Sequence, residues 1–160
     1  MLKKILEILE KNNRISNEEI AIMIGKTTAE VEKAIKELED KNIILKYSTL
    51  INWEKTDREY VTALIEVKVT PQNGEGFDKV AERIYKFKEV RACYLMSGGF
   101  DLTVIVQGNS MKEVALFVAE KLSPLGCVLS TSTHFVLKKY KDEDIIFDKT
   151  VGDDREAIIL

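Results

Sequence analysis

The sequence predicts an α+β fold: three short helices, followed by strands and helices in the order β-α-β-β-α-β. Three observations predict it. Apolar residues recur at helical spacing up to about residue 42, they change to strict alternation at residue 61, and Gly- and Pro-containing breaks divide the rest.

The elements follow in chain order. Leu2, Ile5, Leu6 and Leu9 form one stripe of a helix from Leu2 to Lys11, which Asn12 and Asn13 end. Ser16 with Glu19 three residues later is a capping box, opening a second helix from Asn17 to about Ile24. That helix is expected to bury Ile20, Ile22 or Met23, and Ile24, and to stop at Gly25. Thr27 or Thr28 caps a third, with Val31, Ala34, Ile35 and Leu38 inward and Asn42 as its stop. Ile43 to Ile51 reads as a strand leading out, and Trp53 to Tyr60 as a polar linker. From Val61 to Val69, odd positions are apolar and even ones lean polar, which is a half-buried strand. Phe77, Val80, Ala81, Ile84 and Tyr85 mark a helix. Val90 to Met96 and Leu102 to Val106 are strands around a Gly98-Gly99 turn. A helix over Met111 to Leu122 turns Val114, Leu116 or Phe117, Val118 and Leu122 inward. Val128 to Leu137 is the fourth strand.

Composition narrows the class. At 160 residues and 45% hydrophobic, the chain can build one domain or two small ones. A net charge of -3 offers no general attraction for phosphate, so any nucleic-acid contact must rest on locally placed cations. Cys93 and Cys127 stand alone without Cys/His ligand spacing, so neither a metal site nor a cofactor is expected. Glu7 and Glu10 interrupt the apolar N-terminus, which rules against a signal peptide, and no run is apolar enough to span a bilayer. The reading is a soluble, cytoplasmic protein with no membrane partner.

Three short amphipathic helices, the last two joined by a tight Gly turn, make a winged or trihelical helix-turn-helix. The β-α-β-β-α-β order is the ferredoxin-like unit. With both helices on one face of its sheet, the other face is left open, and a second copy is its simplest cover. The expected organisation is a DNA-binding domain over 1–45, a strand and linker over 46–60, a sensing and oligomerisation domain over 61–140, and an acidic tail over 141–160. The tail reads as partly disordered; the sharper alternative is that its apolar clusters, Ile145 to Phe147 and Ile158 to Leu160, add to a neighbouring subunit.

Together these pieces resemble the Lrp/AsnC, or feast/famine, regulators, from Met1 to about Tyr140. The resemblance is carried by Ile5 to Leu9, Arg14-Ile15-Ser16, Glu19-Ile20-Ala21 with Gly25, Val31, Ile35, Leu38, Asn42-Ile43-Ile44 and Tyr47. It continues through Val61 to Val69, Val90 with Tyr94, Gly98 to Leu102, and Thr131 to Leu137. It implies a transcriptional regulator that is a homodimer, often a tetramer or octamer, and that binds an amino acid or related metabolite at subunit interfaces.

In such modules the third helix enters the major groove. The expected contacts with double-stranded DNA are Lys26, Thr27, Thr28, Ala29, Glu32, Lys33 and Lys36. From Thr27 to Lys41 three lysines face five acids, and the family usually has Ser and Arg where this chain has Glu32 to Ala34, so base reading is expected to be modest. By the resemblance, Ser97, Gly98, Gly99, Phe100 and Asp101 lie at the effector site, with Ser130, Thr131 and Thr133 as further hydroxyl donors. An ordinary two-glycine hairpin is the plainer reading. The ligand reading predicts that Asp101→Ala removes effector binding and leaves folding intact.

The remaining distinctive residues point to packing. His134, the one histidine, reads as structural, Trp53 as an anchor of the linker, and Lys138, Lys139 and Lys141 as a solubilising cluster. Haem-precursor decarboxylases share this two-domain plan. Their chemistry wants gathered histidines and arginines, whereas Arg14, Arg58, Arg83, Arg91 and Arg155 are scattered, and no nucleophile-base arrangement stands out. An enzyme is not expected. The other alternative is a metabolite-sensing and assembly module whose helix-turn-helix is degenerate.

Overall fold

The computed structural model describes residues 1–70 and 76–147, which divide into a compact unit over Met1–Ile51 and a second beginning at Asn52. In the first unit, α1 (Leu2–Lys11), α2 (Asn17–Ile24) and α3 (Thr28–Asp40) enclose a core of Ile5, Ile20, Ala21, Val31, Ala34 and Leu38. Local chemistry sets each boundary. Ser16 and Thr27 head α2 and α3 with complete capping boxes to Glu19 and Glu30. Gly25 takes a left-handed φ of 66°, and Lys26 N–H reaches back to the Ala21 carbonyl, ending α2 in a Schellman turn. Asn42 does the same for α3 with φ 54°, and Ile43 N–H bonds to Leu38 O.

Two expectations fail here. Ile22 and Met23 are 81% and 63% exposed, and Ala21 takes the buried place beside Ile20. The run Ile20-Ala21-Ile22-Met23-Ile24 is apolar all round, so it carries no period that could select a face. Residues 43–51 contain no strand. Their β-like composition finds no second strand in this unit, and side chains hold them instead: Asn13 Nδ2 donates to Ser48 O (2.6 Å) and Tyr47 Oη donates to Glu39 (2.8 Å). Burial, then the Glu39 carboxylate, raise the Tyr47 phenol above its ordinary pKa. The segment expected as one linker therefore divides, its first part tied to the helices and its second, from Asn52, belonging to the next unit.

The second unit is a four-stranded antiparallel sheet in the order β2-β3-β1-β4, from β1 (Val61–Val69), β2 (Val90–Leu95), β3 (Leu102–Gly108) and β4 (Val128–Phe135). Ala63, Ile65 and Val67 of β1 and Leu102, Val104 and Val106 of β3 are fully buried. They form one core with Val80 and Ile84 of α4 (Phe77–Tyr85) and Val114 and Phe117 of α5 (Met111–Phe117). Phe87 and Phe117 meet edge to face, 5.5 Å between centroids. Beyond Phe117 the helix widens into one π turn, Val118–Leu122, which carries Leu122 inward. Tyr85, expected on the apolar side of α4, and Leu116, one option for an inward position of α5, are exposed.

A further difference lies past β4. Lys141–Asp142 (β5) pairs antiparallel with Ile145–Ile146 (β6), and Glu143 and Asp144 supply the two left-handed residues of a tight hairpin. The start of the acidic segment is thus ordered, not loose. The apolar cluster Ile158 to Leu160 lies outside the described residues.

Candidate nucleic-acid interface and effector turn

Val31, Ala34 and Leu38 are at most 2% exposed, which fixes the rotation of α3 and sends Ala29, Glu32, Lys33 and Lys36 to solvent on its opposite side. Thr28 is half-buried and Lys26 exposed. Thr27 is occupied: its hydroxyl accepts from Glu30 N–H (3.3 Å) and donates to the Glu30 carboxylate (3.0 Å). Its side chain is a cap, which leaves less of it for phosphate than the sequence suggested.

The acidic character of α3 changes meaning once partners are placed. Glu30 accepts from Thr27 N–H (2.9 Å) and pairs with Lys26 (3.5 Å). Glu37 pairs with Lys41, and Glu39 accepts from Tyr47. Glu32 and Asp40 remain. Lys33 and Lys36 form no ion pair among the described residues, although Lys33 acts at longer range on Glu37. The exposed side of the helix thus presents two unpaired cations, Lys33 and Lys36, beside two unengaged carboxylates, Glu32 and Asp40. Thr27→Ala should cost about 1 kcal/mol of stability, measured by denaturant unfolding. The Thr27 backbone and side-chain bonds hold the Glu30 carboxyl below its ordinary value of 4.5. A lowered folded-state pKa contributes stability that is complete above the unfolded value and fades as pH falls through the folded one. The difference between wild type and Thr27→Ala should therefore shrink on acidification below pH about 4.

The effector residues divide by location. Ser97, Gly98 and Gly99 stand exposed in the β2–β3 turn, and Phe100 and Asp101 are half-buried. Gly98 has φ 154°, and open space surrounds both glycines where a Cβ would sit. Asp101 stitches this turn to β1: its N–H donates to Val67 O (3.1 Å), and its Oδ2 accepts from Val69 N–H (2.8 Å). Thr131 pairs with Val67 and Ser130 with Lys68, which brings both to the same end of the sheet. They point to opposite faces, because strand side chains alternate. Thr131 lies on the helix-covered side, within 3.4 Å of Ser123 Oγ, and Ser130 on the open side. Thr133 is two residues further along, opposite Ile65. The three hydroxyls do not converge on one point of a single chain.

The Asp101 geometry adds a structural role to the one expected of it. Asp101→Ala leaves the Val69 N–H without its acceptor where β1 and β4 change register, and should cost about 1–2 kcal/mol in denaturant unfolding. Asp101→Asn, which keeps an acceptor oxygen, should recover part of it.

One constellation was not anticipated. Trp53, Arg58, Tyr60, Thr62, Asn109, Val136, Lys139 and Phe147 share the lining of a cavity of about 500 Å³ within the second unit. A tryptophan and an arginine five residues apart in a polar stretch are its only trace in sequence. Residues 2–44 match the family model described as a winged helix-turn-helix DNA-binding domain, and residues 62–146 that of the Lrp/AsnC ligand-binding domain.

The chain belongs to the Lrp/AsnC family of transcriptional regulators.

It is 52% identical over 158 residues to the HTH-type transcriptional regulator YugG of Bacillus subtilis, covering 98% of this chain and 94% of the relative. It is 28% identical over 142 residues to the proline dehydrogenase transcriptional activator of Rhizobium radiobacter, covering 89% and 90%. In fold it is similar to a Neisseria meningitidis transcriptional regulator solved with L-Met, at a TM-score of 0.69, with 24% identity and 88% and 90% coverage. The helix-turn-helix and the ferredoxin-like unit are thus the DNA-binding and ligand-binding domains of an Lrp/AsnC regulator. Among the described residues no helix is long and apolar enough to cross a membrane, and no His, Cys, Asp and Glu group could hold a metal ion.

Proposed function

We propose that this Lrp/AsnC regulator acts in the cytoplasm as a homodimer that binds double-stranded DNA through α3 and answers to an amino acid held near the β2–β3 turn, without catalysing a reaction. The observation that carries the DNA reading is the α3 surface, on which Lys33 and Lys36 are unpaired while Glu30, Glu37 and Glu39 are engaged elsewhere. Lys26, Thr28, Ala29 and Glu32 flank them, with Thr27 contributing through its backbone. The amino-acid class of effector is supported by the L-Met complex of the Neisseria protein.

The dimer is supported by the uncovered sheet face. Ala92, Ile105, Leu64 and His134 lie across it in register, with Tyr94, Thr103, Glu66 and Ser132 forming the next row. Leu64 and Ile105 give this face an apolar centre that a second sheet can bury. Tetramers and octamers are the further assemblies the family implies. An effector bound where dimers meet would bias assembly and so reset the spacing of the reading helices.

The test is binding of the purified protein to DNA from upstream of its own gene, at several salt concentrations and against random DNA. The expected result is saturable, preferential binding whose logarithm falls linearly with log salt. Lys33→Ala with Lys36→Ala should weaken binding and reduce that slope by about 2 per subunit if both lysines contact phosphate, and by less where one reads a base. Absence of any preference, even at low salt, would favour the metabolite-sensing module with a degenerate helix-turn-helix.

A further inference from the structure

From the exposed stripe of α3 we infer that Glu32 is a specificity-determining residue that reads a cytosine in the major groove. This role rests on the proposed DNA reading of α3 and names the base selected. Ala29, Glu32 and Lys36 follow the helical spacing i, i+3 and i+7, so they form one line opposite the buried Val31, Ala34 and Leu38. All three are exposed. Ala29 stands in the first turn and presents only a methyl group, so the N-terminal half of the helix can approach base edges closely. Glu32 comes next along that line. The other glutamates of α3 have tasks within the fold: Glu30 closes the Thr27 capping box, Glu37 pairs with Lys41, and Glu39 accepts from Tyr47. Glu32 has no hydrogen bond or ion pair among the described residues, although Lys36 lies one turn further on.

On a free surface such a carboxylate is ordinary. On a helix face laid into the groove it gives up water and meets the phosphate field, a cost that only a facing donor offsets. The base edges of the major groove offer two donors, the cytosine N4 amine and the adenine N6 amine. Adenine sets its acceptor N7 beside the amine, which repels a carboxylate, whereas cytosine shows only the donor. The guanine paired with it presents O6 and N7, both acceptors. Lys36, a donor without an ion-pair partner among the described residues, lies beside Glu32 on the same side of α3. Acceptor beside donor on the helix thus complements donor beside acceptor on a C·G pair.

The full chain is used to select sites from a library of randomised double-stranded DNA. The selected duplex is then measured with each of the four base pairs at every position. One position in each half-site should require cytosine, the other bases binding about tenfold more weakly. Glu32→Gln should move the preference at that position to adenine, whose N6 and N7 a carboxamide meets with acceptor and donor. Glu32→Ala should flatten that position to within about twofold and leave the others selective. Both variants should gain affinity for random DNA, because a carboxylate leaves the phosphate field, so the ratio between bases is the quantity that decides. Circular dichroism should be unchanged, since Gln and Ala both favour helix and Glu32 holds nothing in place. Two results would overturn the inference. One is a selected site with no position that requires cytosine. The other is a set of base ratios unchanged in both variants while affinity for every sequence rises equally, which would mean that Glu32 only repels phosphate. A chain that selects no sequence at all fails the proposed DNA reading and this role with it. A selected site indifferent to Glu32 fails this role alone.

Discussion

Ile105→Glu should convert the proposed dimer into a folded monomer. Ile105 lies at the centre of the uncovered sheet face, opposite Ala92 on one side and Leu64 on the other, and the strands beside it lock its position. A carboxylate there would be buried against the apolar centre of a second sheet, with Leu64 between it and His134, the one ionisable side chain of its row, a cost of several kcal/mol that association cannot offset. The same carboxylate faces water in the monomer, so the fold is retained. Sedimentation velocity should show half the wild-type mass or less, with circular dichroism unchanged. DNA affinity should fall by about 10²–10⁴, since the second reading helix is no longer delivered at high effective concentration. Lys112→Glu, on the exposed side of α5, is the matched control and should leave the mass unchanged. A variant that stays dimeric would place the subunit contact elsewhere.

The second large effect is on stability. Ile65 is fully buried on β1, between Val104 and Thr133, in the cluster that includes Val80, Ile84 and Phe117. Ile65→Ala should cost about 2–5 kcal/mol, because the surrounding sheet and helices cannot collapse fully onto the space left. Ile65→Val should cost about 0.5–1.5 kcal/mol. Denaturant midpoints should be compared at one protein concentration, because association adds to the apparent stability of a dimer. A loss below about 1 kcal/mol for Ile65→Ala would mean that this cluster is not the centre of the domain's stability.

Residues at different positions were legible to different degrees for identifiable reasons. The Ser16/Glu19 and Thr27/Glu30 boxes and the alternation along Val61–Val69 act over a few residues of chain, and sequence shows such signals directly. Ile22 and Met23 were misjudged because a helix apolar on every side does not say which side has a neighbour. Ser130, Thr131 and Thr133 suggested one hydroxyl cluster, and the pleat of β4 puts Ser130 on the face opposite the other two. Asp101 suggested a ligand group, and its backbone partner on β1 is 32 positions away in the chain.

The sequence by itself determined the order of the five helices and of the four strands of the sheet, the caps that open α2 and α3, and the change of period that separates a helical unit from a sheet. These rest on interactions between near neighbours, whose geometry the local chain already restricts. The tertiary structure decided which charges on α3 are engaged and which residues share a sheet face. It also decided that Asp101 holds β1, and that Trp53, Arg58 and Phe147 surround one cavity. Each of those depends on groups far apart in the chain coming to within a few ångströms, and only the packed fold settles such distances.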